Sequence, residues 1–254
     1  MNLSSIIAAR HRATAGFSTE AQSYFDRLDT AGDTTYTPYK QPLANYIDGL
    51  VAEGGAYWNT MLSACSFVGV GIEGIVVPLR SGMTVPTNNN FISTDLNQVT
   101  GLLGDGTSYI HMNLTDSAVS QNDASLSCWV NSAASTLTGM VGSSALRIDS
   151  DITPATGVRL YSQTTSRDLV SFTQGSFVGH SRTVGTEYDY LVTGSSGTLT
   201  RASTAPAAGA MTVFARVTFA NTDARLATYH FGPALNLATL EALQDTLLTE
   251  IAAI

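Results

Sequence analysis

Glu187 and Asp189, one residue apart, are the nearest approach to a catalytic grouping in this sequence. Side chains alternate along a strand, so both carboxyls would share a face. Glycoside cleavage needs such a pair, one group donating a proton while the other attacks or activates water. A third carboxylate that often tunes the pair from the same strand is missing, and Glu occupies only six positions in the chain. No partner positions either group for acid–base work. The pair reads as a solvated strand face, and the expectation is a protein that is not an enzyme.

Other chemistry-bearing residues are dispersed. His11, His111, His180 and His230 stand singly, and although the last three fall in strands that can meet in space, no spacing brings them together. A metal site needs convergent, supported ligands, so these read as separately hydrogen-bonded imidazoles. Asp95, Asn97, Asp105, Asn122 and Asp123 form an oxygen-rich set in loops without EF-hand spacing. Gly104-Asp105-Gly106 within it reads as a tight turn. No cofactor is expected, with calcium left open by ligand chemistry alone. Cys65 and Cys128 lack metal-ligand spacing and read as buried reduced thiols. Gly139–Gly142 and Gly69–Gly71 lack the spacing of a phosphate-cradling loop, and no serine sits in a nucleophile elbow. Trp129, Tyr161, Tyr188, Tyr190 and Tyr229 lie in predicted strands and are the residue types on which sugars stack. Trp129 opposes the Leu126/Cys128/Val130 face and is expected to pack under helices from the N-terminal part.

The elements that would position these residues follow from hydrophobic period. Leu3, Ile6, Ile7 and Arg10 recur at helical spacing, as do Ala21, Tyr24, Phe25 and Leu28 behind a cap at Ser18. Both stripes are thin, so residues 1–35 read as a helical assembly arm, mobile alone and ordered against a partner. Residues 36–85 are expected to hold an αα-hairpin. Leu43, Tyr46, Ile47, Leu50 and Val51 form its first stripe; Tyr57, Trp58, Met61, Leu62 and Cys65 form its second, after Gly54-Gly55. From Thr107 the period falls to two. Ser108–Leu114, Leu126–Val130, Gly175–Gly194, Thr198–Ser203 and Ala210–Phe219 all read as strands joined by turns, the pattern of a sandwich. Leu237, Leu240, Leu243, Leu247, Leu248 and Ile251 close the chain as one helix capped by Asn236. The fold expectation is a mainly β, antiparallel β-sandwich over residues 86–254, with N-terminal helices and one C-terminal helix.

Composition narrows the function. The chain has 254 residues, 44% of them hydrophobic and only 13% charged, with a net charge of −8. Twelve basic residues in no cluster leave no footprint for nucleic acid, and an acidic surface disfavours anionic lipid. Met1–Arg12 lack the apolar core of a secretion signal, and Phe67–Leu79 is too short and broken to span a bilayer. A soluble chain without membrane insertion is expected.

Gly179-His-Ser-Arg182 followed by Tyr188-Asp-Tyr190, with the strand order and closing helix, resembles the laminin-G-like, concanavalin A-like jelly-roll modules of bacteriophage structural proteins. Val85–Phe91, Asp95–Asn97, Thr100–Ile110 and Gln121–Asp123 look like the entry to that module. The resemblance covers roughly residues 40–254 and implies a jelly-roll sandwich in a virion context. It implies a structural protein displayed on the particle, as a tail, baseplate or receptor-binding component able to hold a host-surface glycan. Capsid decoration is the alternative within that class, and a polysaccharide-degrading hydrolase the alternative outside it. The partners implied are other virion proteins, bound through the N-terminal arm, and copies of the chain in a homo-oligomer. The location implied is the virion, assembled in host cytoplasm.

Overall fold

The structure is a computed structural model and describes residues 16–151, 157–215 and 221–254. Its body is a sandwich of two antiparallel sheets. The sheets are built from β1 (Ser63–Ser66), β2 (Thr87–Asn89), β3 (Leu96–Asn97), β4 (Gly101–Leu103), β5 (Tyr109–Thr115), β6 (Ala124–Ser132), β7 (Gly139–Gly142) and β8 (Leu146–Asp151). These continue as β9 (Gly157–Ser162), β10 (Asp168–Ser171), β11 (Ser176–Arg182), β12 (Glu187–Val192), β13 (Ser195–Thr200), β14 (Ala210–Val213) and β15 (Arg225–Gly232). Among the described residues one sheet runs β13-β12-β11-β6-β15-β4-β3, with β1 beside β4 on the same edge of β15. The other runs β10-β9-β8-β7-β14-β5-β2. This is the mainly β, antiparallel sandwich that the alternation predicts, and the jelly-roll class that the resemblance implies.

The first sheet is buried on both faces at its centre, which explains why β6 and β11 carry almost no exposed residue. Leu126, Cys128 and Val130 pair in register with His180, Val178 and the β15 residues Phe231, Tyr229 and Leu226, all on the face toward the second sheet. Ser125, Ser127 and Trp129 take the other face with Ser181, Gly179 and Phe177. That face carries the C-terminal helix α4 (Leu237–Ala252), since the Ser181 hydroxyl accepts from the Leu235 N–H at 3.0 Å and Thr193 donates to Glu241 at 2.7 Å. Helix α4 is capped by Asn236, which accepts from Ala238 and Thr239, and it buries Leu237, Leu240, Leu243, Leu247 and Ile251. It packs on α2 (Lys40–Ala52) at Gly49, where a Cβ would lie 2.4 Å from the Leu243 side chain.

Three sequence expectations are corrected. Helix α1 (Thr19–Thr30) forms with Ser18 as its cap, but it is not part of an arm: Ala21, Tyr24, Phe25 and Leu28 are fully buried in the common core. The next segment closes over it. Tyr36 stacks on Phe25 with ring centroids 5.5 Å apart, the Lys40 ammonium lies over both rings, and the buried Asp33 carboxylate accepts from the Gly71 N–H at 2.6 Å. The boundary expected at residue 35 therefore falls inside a packed unit; the stripe expected at Leu3–Arg10 lies outside the described residues. Second, the αα-hairpin is half right. Helix α2 forms, but Gly54 is followed by the single turn α3 (Gly55–Trp58), and Cys65 lies in β1, paired with β15. Third, the strand expected over Ala210–Phe219 ends at Val213. Phe214 takes a φ of 68° and places its ring against Phe67 and Phe91, an edge-on contact of 4.9 Å with the latter, while residues 216–220 lie outside the described set.

Candidate functional site: a charged groove on the seven-stranded sheet

Along β8 and β9 the apolar residues Leu146, Ile148, Val158 and Leu160 point into the sandwich and are buried. Their alternates, Arg147, Asp149 and Asp151 on β8 and Arg159 and Tyr161 on β9, must take the opposite face. Register places Arg147 across from Tyr161 and Asp149 across from Arg159. The Arg147 guanidinium lies 3.3 Å from the Tyr161 ring centre and donates through Nε to Asp149 at 2.9 Å. It also donates to the Ser144 carbonyl. Arg159 Nε donates to Asp151 at 2.6 Å, and that hydrogen bond pushes the Arg159 guanidinium above its ordinary value. Arg147, Asp149, Arg159 and Tyr161, with Leu137, Thr138 and Gly139, line a cavity of about 190 Å³.

Burial is what sets this groove apart. Arg147 is 5% exposed and Tyr161 6%, although both lie on a sheet's outer face. Charged groups held so far from water need partners, and here each guanidinium has a carboxylate. Fixed forks of donors beside carboxylate acceptors, with an aromatic ring beneath, form a rigid array of alternating polarity. Such an array suits a neutral ligand rich in hydroxyl groups.

The residues singled out from sequence fare unequally. Glu187 and Asp189 lie exposed on β12, and Asp189 accepts from the Thr198 hydroxyl at 2.7 Å. His180 and His230 are both fully buried but face opposite sides of the first sheet, and His111 lies on β5 of the second, hydrogen-bonded to Asn113 at 2.8 Å, so these three do not converge. His11 lies outside the described residues. The loop oxygens are committed locally. Asp95 accepts from the Ile92 N–H, Asn97 from Val99 and Thr100, Asn122 from the Ser203 hydroxyl, and Asp123 from the Ala234 N–H. Burial opposes the charge on Asp105, but bonds from Ser108 and Thr107 outweigh it and hold its carboxyl down at about 2. Among the described residues no three His, Cys, Asp or Glu side chains are grouped to hold a metal ion.

Of the aromatic residues, Tyr161 alone lines the groove. Tyr229 is a core residue hydrogen-bonded to Ser63 at 2.9 Å, and Tyr188 is buried with its hydroxyl on Asp168 at 2.8 Å, so neither offers a stacking surface. Tyr190 is half-buried against Gly197. Trp129 is buried on the helix-bearing face and donates to Asn131 at 3.1 Å; of the hairpin expected above it, only the first helix forms in full. Cys65 and Cys128 are free and buried; burial pushes the Cys65 thiol up to about 12 and raises Cys128 as well. Arg147, Asp149, Asp151 and Arg159 escaped sequence reading. Their signal was present in Leu146-Arg-Ile-Asp-Ser-Asp151 and Val158-Arg-Leu-Tyr161, where charge alternates with apolar residues at a period of two.

No family model matches the chain, and no curated protein sequence matches it. Solved structures do. The binding domain of botulinum neurotoxin serotype D matches 74% of this chain and 51% of its own, with a TM-score of 0.52 and 8% identity. A Trypanosoma rangeli sialidase in complex with 2,3-difluorosialic acid matches 74% of this chain and 33% of its own, with a TM-score of 0.50 and 14% identity. Domain 4 of an extracellular arabinanase from Geobacillus stearothermophilus, in complex with arabinotriose, matches 72% of this chain and 98% of its own at a TM-score of 0.42 and 15% identity. The chain thus spans about half of the toxin domain and a third of the sialidase. At these identities the likeness to the toxin domain and the sialidase shows the fold alone, a β-sandwich. Among the described residues no helix is long and apolar enough to cross a membrane.

Proposed function

We propose that this chain is a non-catalytic structural component of a virus particle that displays its sandwich at the surface and holds a host-surface saccharide in the groove over β8 and β9. The observation that carries the reading is the Arg147–Tyr161 stack, flanked by Asp149 and the Arg159–Asp151 pair around a cavity of about 190 Å³. Each charge is matched, so the groove offers hydrogen bonds without a net demand for a charged ligand. Neighbours of the same fold include a toxin binding domain and a sialidase solved with a sugar derivative, which accords with a saccharide ligand. The virion context rests on the resemblance of Gly179–Arg182, Tyr188–Tyr190 and the entry segments to phage structural modules, and the implied partners are other particle proteins and further copies of the chain.

The placement of the carboxylates supports binding without cleavage. Asp149 and Asp151 are engaged by guanidinium groups, and Glu187 and Asp189 stand on an exposed strand of the other sheet. Incubating the protein with host surface polysaccharide is expected to give retention and no new reducing ends, in wild type and in Glu187→Gln alike. New reducing ends that vanish in Glu187→Gln or Asp149→Asn would establish a hydrolase instead. Neither retention nor release would leave decoration of the particle.

A further inference from the structure

A second cleft gathers two guanidinium groups that form no ion pair among the described residues. It has a volume of about 250 Å³ and is walled by α1, the end of α3 and the segment after Leu79. Arg27 and Arg80 both line it, with Trp58 between the two segments in sequence. Their N–H groups go to neutral acceptors. Arg27 donates to the Ser23 carbonyl and hydroxyl and to the carbonyls of Pro78 and Leu79; Arg80 donates to those of Asn59, Met61 and Ser81.

Other arginines of this chain are handled differently. Arg147, Arg159 and Arg201 each have an aspartate partner. Arg182 and Arg225 donate to carbonyls. Arg27 and Arg80 line the same cleft. Burial lowers the Arg27 guanidinium from its ordinary value; Tyr24 and Asp26 offset part of this, and Arg80 adds to it. The chain has 20 acidic residues against 12 basic ones, yet among the described residues neither arginine forms an ion pair. Glu20 is the carboxylate in the lining, and it is not bonded to either. Two like charges at a concave surface are relieved when an anion joins them. Arg80 Nη1 has an N–H beyond the one given to Ser81, and the exposed side chains of Thr19, Asn59 and Ser81 supply further donors at the mouth.

We propose that this cleft binds an oxyanion group, the carboxylate, sulfate or phosphate of a small ligand, between Arg80 and Arg27. The site is independent of the groove on the other sheet. Its test is calorimetric titration of the full chain with sodium sulfate, inorganic phosphate and glucuronate, at ionic strength held constant with sodium chloride, and with glucose as the neutral control. Saturable binding of at least one oxyanion is expected, with none of glucose at this site, and the three arms identify which oxyanion fits. Arg80→Gln is expected to weaken that affinity ~10-fold or more, the scale of a hydrogen bond to a charged group. Glu20→Gln carries the opposite sign and removes no positive charge, so it is expected to tighten binding about twofold. No saturable binding of any of the three oxyanions, equal binding in wild type and folded Arg80→Gln, or weaker binding in Glu20→Gln would each overturn the proposal.

Discussion

Lowering the pH from 7 toward 4 is expected to destabilise this protein steeply, well before most carboxylates titrate. His180 and His230 flank the central strand β6 from either side, one toward the second sheet and one toward the helices, and both are fully buried. Burial pushes each imidazole down to about 3; at His180 the Arg147 backbone offsets part of this and Arg182 adds to it. Among the described residues neither imidazole has a ring nitrogen hydrogen-bonded, which corrects the separate hydrogen bonds expected of them from sequence. In the unfolded chain both would protonate near 6.5. Between about 6.5 and 3 the unfolded state therefore binds more protons, so stability rises with pH across that window and is complete above it. Each imidazole contributes a slope approaching ~1.4 kcal/mol per pH unit in the middle of the window. Urea melts at pH 7.5, 6, 5 and 4 measure it. The His230→Asn variant, if folded, is expected to show a shallower slope; a flat profile in wild type would mean that both imidazoles are already charged or solvated in the fold.

Removing residues 1–31 is expected to unfold the protein rather than merely detach it from a partner. The deletion takes away α1, whose Tyr24, Phe25 and Leu28 are fully buried, at about 1.5–3 kcal/mol for each large apolar side chain. It also exposes Tyr36 and the aliphatic wall beneath, against a net domain stability of only about 5–15 kcal/mol. Arg27 leaves with it, and the Pro78 and Leu79 carbonyls lose their donor. Circular dichroism and a thermal melt of the truncated chain decide the matter. A cooperative melt at the wild-type temperature would restore the idea of a separable arm.

The burial of α1 has a cause outside its own sequence. Its stripe is as narrow as the sequence indicated, and alone it would not be stable. What buries it is a later segment, Asp33 to Lys40, whose polar, turn-rich composition gave no hint that Tyr36 would lie flat on Phe25. The stretch from Tyr57 to Cys65 failed for a related reason. Its apolar residues satisfy a helical period, but the free edge of β15 offers Ser63–Ser66 a backbone partner more than 160 residues away, and pairing overrode the local pattern. Where packing is decided within one element the reading succeeded, as at Asn236 and the leucine ladder of α4. The sandwich itself was legible because the strict alternation in β6 and β11 admits only one register that buries both sets. The groove was not, because Arg147, Asp149 and Arg159 look like ordinary outward strand residues until the register sets β8 against β9.

The central claim is that the groove over β8 and β9 holds a saccharide. Its most direct measurement is the affinity of host surface oligosaccharide, by calorimetry, for wild type, Tyr161→Leu and Glu187→Gln, each first shown by its melt to be folded. Loss of the ring under the Arg147 guanidinium is expected to weaken binding about tenfold, while Glu187→Gln, on the other sheet, leaves it unchanged. Undiminished binding by a folded Tyr161→Leu variant, or a loss confined to Glu187→Gln, would contradict the account.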